Sequence, residues 1–171
     1  YLLGSTGLEL DGSAWADVIH GHLGGVPPKV DLAAEKTLAG LLHAAALEGL
    51  VDSAHDLSEG GLAAALSEAV LRFGVGARVV LSEVLERDGI DAATALFSES
   101  QGRVIVTVPR EDDVKFKGLC AGRGVPVARI GVTDAESGSL EVQGLFEISI
   151  EELRAANRAP LPAAFGPVVG Q

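Results

Sequence analysis

The clearest periodicity in the chain lies between residues 62 and 73. There Leu62, Ala65, Leu66, Ala69, Val70 and Phe73 recur at three- and four-residue spacing and form one apolar stripe. The other side of this predicted helix is also weakly polar, with Ala63, Ala64, Ser67 and Leu71. Such a helix is expected to be covered twice, once by the domain's own sheet and once by a neighbour, which could be another domain. An earlier helix is predicted from Asp31 as N-cap, with Leu38, Leu41, Leu42 and Ala45 at helical spacing and Gly49 as its stop. A third covers residues 111–122 with Val114 and Leu119 inward, and a short one lies around residues 91–96. Ser149 and Glu152 have the capping-box spacing that opens a last helix.

Strand patterns fall between these helices. Residues 76–82 place Ala77, Val79 and Leu81 on one face, and residues 103–109 alternate Val104, Val106 and Val108 against Ile105 and Thr107. Residues 50–55, 125–132 and 139–142 read as further strands, the last two separated by a turn rich in Gly, Ser and Asp. Residues 1–30 are glycine-rich and carry the Pro27-Pro28 break, so they read as a loop-like entry segment anchored by Trp15, Val18 and Ile19. Residues 31–159 form the domain proper, and residues 160–171, with Pro160, Pro162 and Pro167, a loose tail. The expected fold class is α+β (mixed α/β), with a single sheet and helices packed on one side.

Composition narrows the function classes. The 171 residues include 13 basic and 24 acidic side chains, a formal net charge of −11, with 47% hydrophobic and 22% charged residues. That is a folded chain of one domain, and its acidity excludes nucleic acid as an expected partner. No apolar stretch is long enough to span a membrane, so a cytoplasmic setting is expected. The chain starts at Tyr1 and contains no methionine, from which a piece of a longer chain is expected.

Candidate chemistry is sparse. His20 and His22 stand two apart in a glycine loop, but no third metal ligand follows. His43 reads as a surface or helix-contact residue. His55 neighbours Asp56, yet adjacent strand residues face opposite ways, so no acid–base pair forms there. Cys120 has no histidine partner and reads as packing. No catalytic and no metal-binding residue is assigned.

Two segments stand out. Asp56-Leu57-Ser58-Glu59-Gly60-Gly61 combines a strand end, a polar turn and two glycines opening a helix, where backbone N–H groups can meet an anion. An ordinary strand-to-helix turn capped by Asp56 or Ser58 fits the same residues. Ser98-Glu99-Ser100-Gln101-Gly102-Arg103 is either a turn or a ligand rim. If extended, it puts Glu99 and Gln101 on one face, available to a hydroxyl, an amine or a magnesium-bound water. The candidate nucleotide- or phosphate-binding residues are therefore Asp56, Ser58, Gly60, Gly61, Glu99, Ser100 and Gln101.

These two segments, extended to residues 54–63 and 96–104, closely resemble the C-terminal domain of the formylglycinamide ribonucleotide amidotransferases, the synthetase subunits also called phosphoribosylformylglycinamidine synthase II. Leu3-Gly4-Ser5-Thr6, Glu9-Leu10-Asp11-Gly12-Ser13 and Pro28-Lys29-Val30-Asp31-Leu32 resemble the same family's entry segment. The departures are Asp11, Trp15, Leu57 and Glu59, which touch loop geometry only. The resemblance implies an AIR-synthase C-terminal-like domain, the last of four, in an ATP- and Mg2+-dependent enzyme of purine biosynthesis. ATP would activate the substrate's amide oxygen and ammonia from glutamine would displace the phosphate. It further implies the preceding domains of the same chain, a glutaminase subunit and a small adaptor subunit as partners. The glycine turn would sit in a pocket that touches either substrate or an auxiliary nucleotide. The isolated chain is expected to be inactive. Two alternatives remain open: a related ATP-dependent enzyme, of the aminoimidazole ribonucleotide synthetase or selenophosphate synthetase type, and a non-catalytic binding module.

Overall fold

Leu2 and Leu3 are fully buried, and each enters a different hydrophobic core. They form β1 (Leu2–Leu3), the first element of a computed structural model that describes residues 1–166. In chain order there follow α1 (Ala14–His20), α2 (Leu32–Leu47), β2 (Ser53–Asp56), α3 (Gly61–Phe73), β3 (Gly76–Val79), α4 (Ser82–Asp88), α5 (Ala92–Phe97) and β4 (Val104–Thr107). A 3-10 turn at Arg110–Asp112 then leads to α6 (Asp113–Arg123), β5 (Val127–Ala128), β6 (Gly131–Asp134), β7 (Ser139–Val142), β8 (Phe146–Ser149), α7 (Ile150–Arg158) and α8 (Pro160–Phe165).

The mixed α/β character is as expected, but the single sheet is not. Two four-stranded sheets form, ordered β2-β4-β1-β5 and β6-β3-β7-β8. The first is antiparallel throughout, and the second contains one parallel pair, β3 with β7. The split comes from residues 125–132, which do not run as one strand. Val127 and Ala128 pair with β1, whereas Gly131–Asp134 crosses to pair with β3. A side chain at Gly131 would strike the Arg78 carbonyl oxygen, so glycine permits that close pairing.

Nor are the helices confined to one side. Leu38, Leu41, Phe116 and Cys120 of α2 and α6 pack on Leu3, Val104 and Val106. Leu62, Leu66 and Leu96 of α3 and α5 pack with Leu2 and Ile105 on the opposite side, together with Val79, Leu140 and Val142 of the second sheet. The double cover expected for α3 is met inside this chain, because α3 touches β2, β7, α5 and α7.

Several local expectations are corrected as well. The entry segment supplies a central strand, while Val18 and Ile19 are exposed rather than anchoring, and Trp15 is half-buried with its ring edge-on to His20. The 3-10 turn delays the start of α6 to Asp113, so Phe116 and Cys120 face inward and Val114 faces solvent. The strand expected over residues 76–82 ends at Val79 and gives way to α4. Residues 160–165 of the expected loose tail are helical, and Pro167 lies outside the described residues. Asp31 caps α2 through the N–H groups of Ala33 and Ala34, and Ser149 and Glu152 form the capping box.

Candidate functional site

The polar turn after β2 is held at its base by the Leu57 N–H, which donates to the Arg103 carbonyl at 3.0 Å. Gly60 and Gly61 both take left-handed backbone conformations, with φ of 78° and 62°. Gly60 is the N-cap of α3, which has no side-chain cap, so neither Asp56 nor Ser58 plays that part. A side chain at Gly61 would collide with the Ser98 carbonyl oxygen and lie 2.9 Å from that of Leu96. Glycine at this position lets α3 dock on the end of α5.

Glu99 closes the arrangement. Its Oε1 accepts the Gly60 N–H at 2.8 Å and the Ala14 N–H, at the start of α1, at 2.8 Å. Its own backbone N–H donates to the Glu9 carbonyl at 3.1 Å. The N–H group that sequence reasoning offered to an anion is thus taken by a carboxylate of the same chain. Ser98 Oγ donates to the Gly7 carbonyl at 2.8 Å, and Ser100 Oγ accepts the Gly7 N–H at 2.9 Å. These bonds tie the entry segment to the second motif.

Below them lies Arg103, only 2% exposed. It donates from Nε to the Ser100 carbonyl at 2.8 Å, from Nη2 to the Ser98 carbonyl at 2.6 Å and from Nη1 to Thr6 Oγ1 at 3.1 Å. Burial pushes the guanidinium down to about 10, opposed by the negative charge of Glu9, Asp88 and Glu99. It remains a cation at neutral pH and acts as the internal strut of the motif. Asp88 adds a second tie by accepting the Thr6 N–H at 2.9 Å, and Arg87 donates to the Gly4 carbonyl at 2.8 Å. Sequence reasoning assigned no role to Arg103, Arg87 or Asp88. Alternation gave no signal for Arg103, because it precedes β4 and both faces of that strand are buried.

Of the candidate residues, Gly60, Gly61, Glu99 and Ser100 come together, while Asp56 and Ser58 are exposed on the turn. Glu99 and Gln101 do not form a shared open rim. Gln101 is exposed, donates to the Glu99 carbonyl at 3.1 Å and lines a cavity of about 350 Å³ with Lys29, Glu35 and Arg123. A larger groove, about 530 Å³, lies away from both motifs along Arg78, Arg129 and Glu141 of the second sheet region. Among the described residues no group of three or more His, Cys, Asp or Glu side chains is placed to hold a metal ion. His20, His22 and His43 are exposed, and His55 meets the Glu68 carboxylate at 3.1 Å and the Asp56 carbonyl, not the Asp56 side chain. Cys120 is fully buried, and burial pushes its thiol up to about 11, which removes it as a nucleophile.

The fold is a two-sheet α/β domain in which the Glu99 carboxylate and the Ser98 and Ser100 hydroxyls bond to backbone groups of the same chain. Residues 1–143 match the family described as AIR synthase related protein, C-terminal domain, and the chain belongs to that family. It is 67% identical, over 99% of its length, to the phosphoribosylformylglycinamidine synthase subunit PurL of Leifsonia xyli subsp. xyli, of which it spans 22%. Among solved structures it is similar to T. maritima PurL complexed with FGAR, with a TM-score of 0.71 and 25% identity, covering 89% of this chain and 27% of that one. The same protein complexed with ATP gives a TM-score of 0.67 at 25% identity, covering 89% and 24%. The chain therefore spans about a quarter of the solved relative and less of the curated one.

Proposed function

We propose that this chain is the C-terminal domain of an ATP-dependent synthetase that makes formylglycinamidine ribonucleotide from formylglycinamide ribonucleotide and glutamine-derived ammonia. The observation that carries this reading is the identity of 67% over 99% of the chain to a subunit of that name. In the intact enzyme, ATP supplies the phosphoryl group that activates the substrate's amide oxygen. The residues of this chain position and support; none is assigned a proton transfer. The preceding domains of the longer chain, a glutaminase subunit and a small adaptor subunit complete the assembly in the cytoplasm, and the preceding domains hold most of the magnesium ligands. No helix among the described residues is long and apolar enough to cross a membrane, which is consistent with that setting.

Within this reading the Gly60–Gly61 turn is a latch more than a phosphate cradle. Its Gly60 N–H already meets Glu99, and the turn itself carries the carboxylates of Asp56 and Glu59, which repel a phosphate. The side chains left to meet a ligand are Asp56, Ser58 and Gln101, a set suited to hydroxyl and amine groups. The test is genetic. In a strain lacking formylglycinamidine ribonucleotide synthesis, the full-length gene restores growth without purines, and the same gene lacking this region does not. Growth on the 171-residue chain alone, or failure of the full-length gene, contradicts the proposal.

A further inference from the structure

Half of the exposed large hydrophobic side chains among the described residues, seven of fourteen, fall between residues 8 and 32. Leu8, Val18, Ile19, Leu23, Val26 and Val30 are each 61–78% exposed, and Leu32 at the start of α2 adjoins them. They sit on one folded flap. The Gly12 N–H donates to the Gly24 carbonyl at 3.0 Å, the Val26 N–H to Asp11 at 3.2 Å, and the Lys29 N–H to Glu9 at 2.8 Å, so residues 24–29 run back along residues 9–12. The flap is also fastened from below, by Glu99 to Ala14 and by Ser98 and Ser100 to Gly7. A segment that spends so many polar contacts on holding its shape, yet turns its apolar side chains to water, has an interface to make.

We infer that this flap, through its exposed apolar side chains, is where the domain docks on another domain of its own longer chain. This rests on the proposed synthetase reading. The occupant follows from length, because the chain spans only 22% of a relative to which it is 67% identical, which leaves ample polypeptide to cover the flap. Domain contacts within one chain bury about 600–1,500 Å², whereas an exposed apolar patch on a free monomer seldom exceeds about 300–600 Å².

The experiment uses the full-length protein carrying Val18→Cys or Leu23→Cys, with Val114→Cys as a reference. All three native side chains are 76–82% exposed here, so the substitutions leave the domain's packing intact. Maleimide labelling, read peptide by peptide, is expected to be at least about tenfold slower at positions 18 and 23 than at 114, at every protein concentration. Labelling of 18 and 23 at the rate of 114 overturns the inference. Protection that vanishes on dilution also overturns it, since a second copy is then the cover. Amidation activity is measured on the same samples. Fast labelling of an active enzyme defeats the docking face alone, and protection in a protein without that activity defeats the synthetase reading alone.

Discussion

Glu99 Oε1 lies 2.8 Å from the backbone nitrogen of Gly60, 39 residues away, and this bond joins the two sequence motifs together with that from the Leu57 N–H to the Arg103 carbonyl. Glu99 Oε1 also takes the Ala14 N–H, so a single carboxylate links the glycine turn, the second motif and the entry segment. Charge-assisted bonds of this kind contribute about 1.5–3 kcal/mol each in favourable settings. Glu99→Ala is expected to destabilise the chain by about 2–4 kcal/mol, and Glu99→Gln, which keeps an acceptor, by about 1 kcal/mol. Urea unfolding measures both. Equal stability of the alanine variant would show that the carboxylate is free for a ligand.

Glycine is required at position 61 and dispensable at position 118. Gly61 combines a φ of 62° with a blocked Cβ direction, whereas a Cβ at Gly118, inside α6, meets nothing within 4 Å. Gly61→Ala should cost about 2–3 kcal/mol, and Gly118→Ala should add about 0.5–1 kcal/mol through helix propensity. Thermal melts of the two variants should therefore move in opposite directions.

Arg103 holds three acceptors with a planar fork that an ammonium group does not reproduce. Arg103→Lys, which keeps the charge, is expected to lose about 2–4 kcal/mol in a denaturant titration. Wild-type stability in that variant would mean that the charge matters and the geometry does not.

Cys120 supplies an alkaline prediction. Burial raises its thiol from 9.0 to about 11 in the folded state. The folded chain therefore holds this proton more tightly than the unfolded one. The associated stability is fully present below pH 9 and is lost as pH rises through 11, a fall of about 2–3 kcal/mol. Cys120→Ala should start lower at pH 8 because of the cavity it leaves, and then decline less steeply. Parallel unfolding curves from pH 8 to 11 would remove the thiol from the account.

What the sequence disclosed follows from how each element is signalled. The α3 stripe as far as Val70, the Asp31 cap and the Ser149–Glu152 box are local patterns that survive folding, whereas Phe73 at the end of the stripe is exposed. The two-residue strand at Leu2 and Leu3 is too short to alternate, and being buried on both faces it has nothing polar to alternate with. The division into two sheets was hidden because Val125, Val127, Ala128, Ile130 and Val132 read as one continuous strand across Arg129 and Ile130, where the chain changes sheets. At the site, spacing brought Gly60, Gly61, Glu99 and Ser100 to attention. It did not say that Glu99 turns inward to bond the turn, because that choice depends on the entry segment arriving from the far end of the sequence.

The most direct measurement is an assay of the purified full-length enzyme with formylglycinamide ribonucleotide, ATP and ammonium ion, following the amidine product and ADP together. The account predicts one ADP per amidine formed, and neither product from the 171-residue chain alone. ATP turnover that ignores formylglycinamide ribonucleotide and answers to a different substrate, or amidation by the isolated chain, would contradict it.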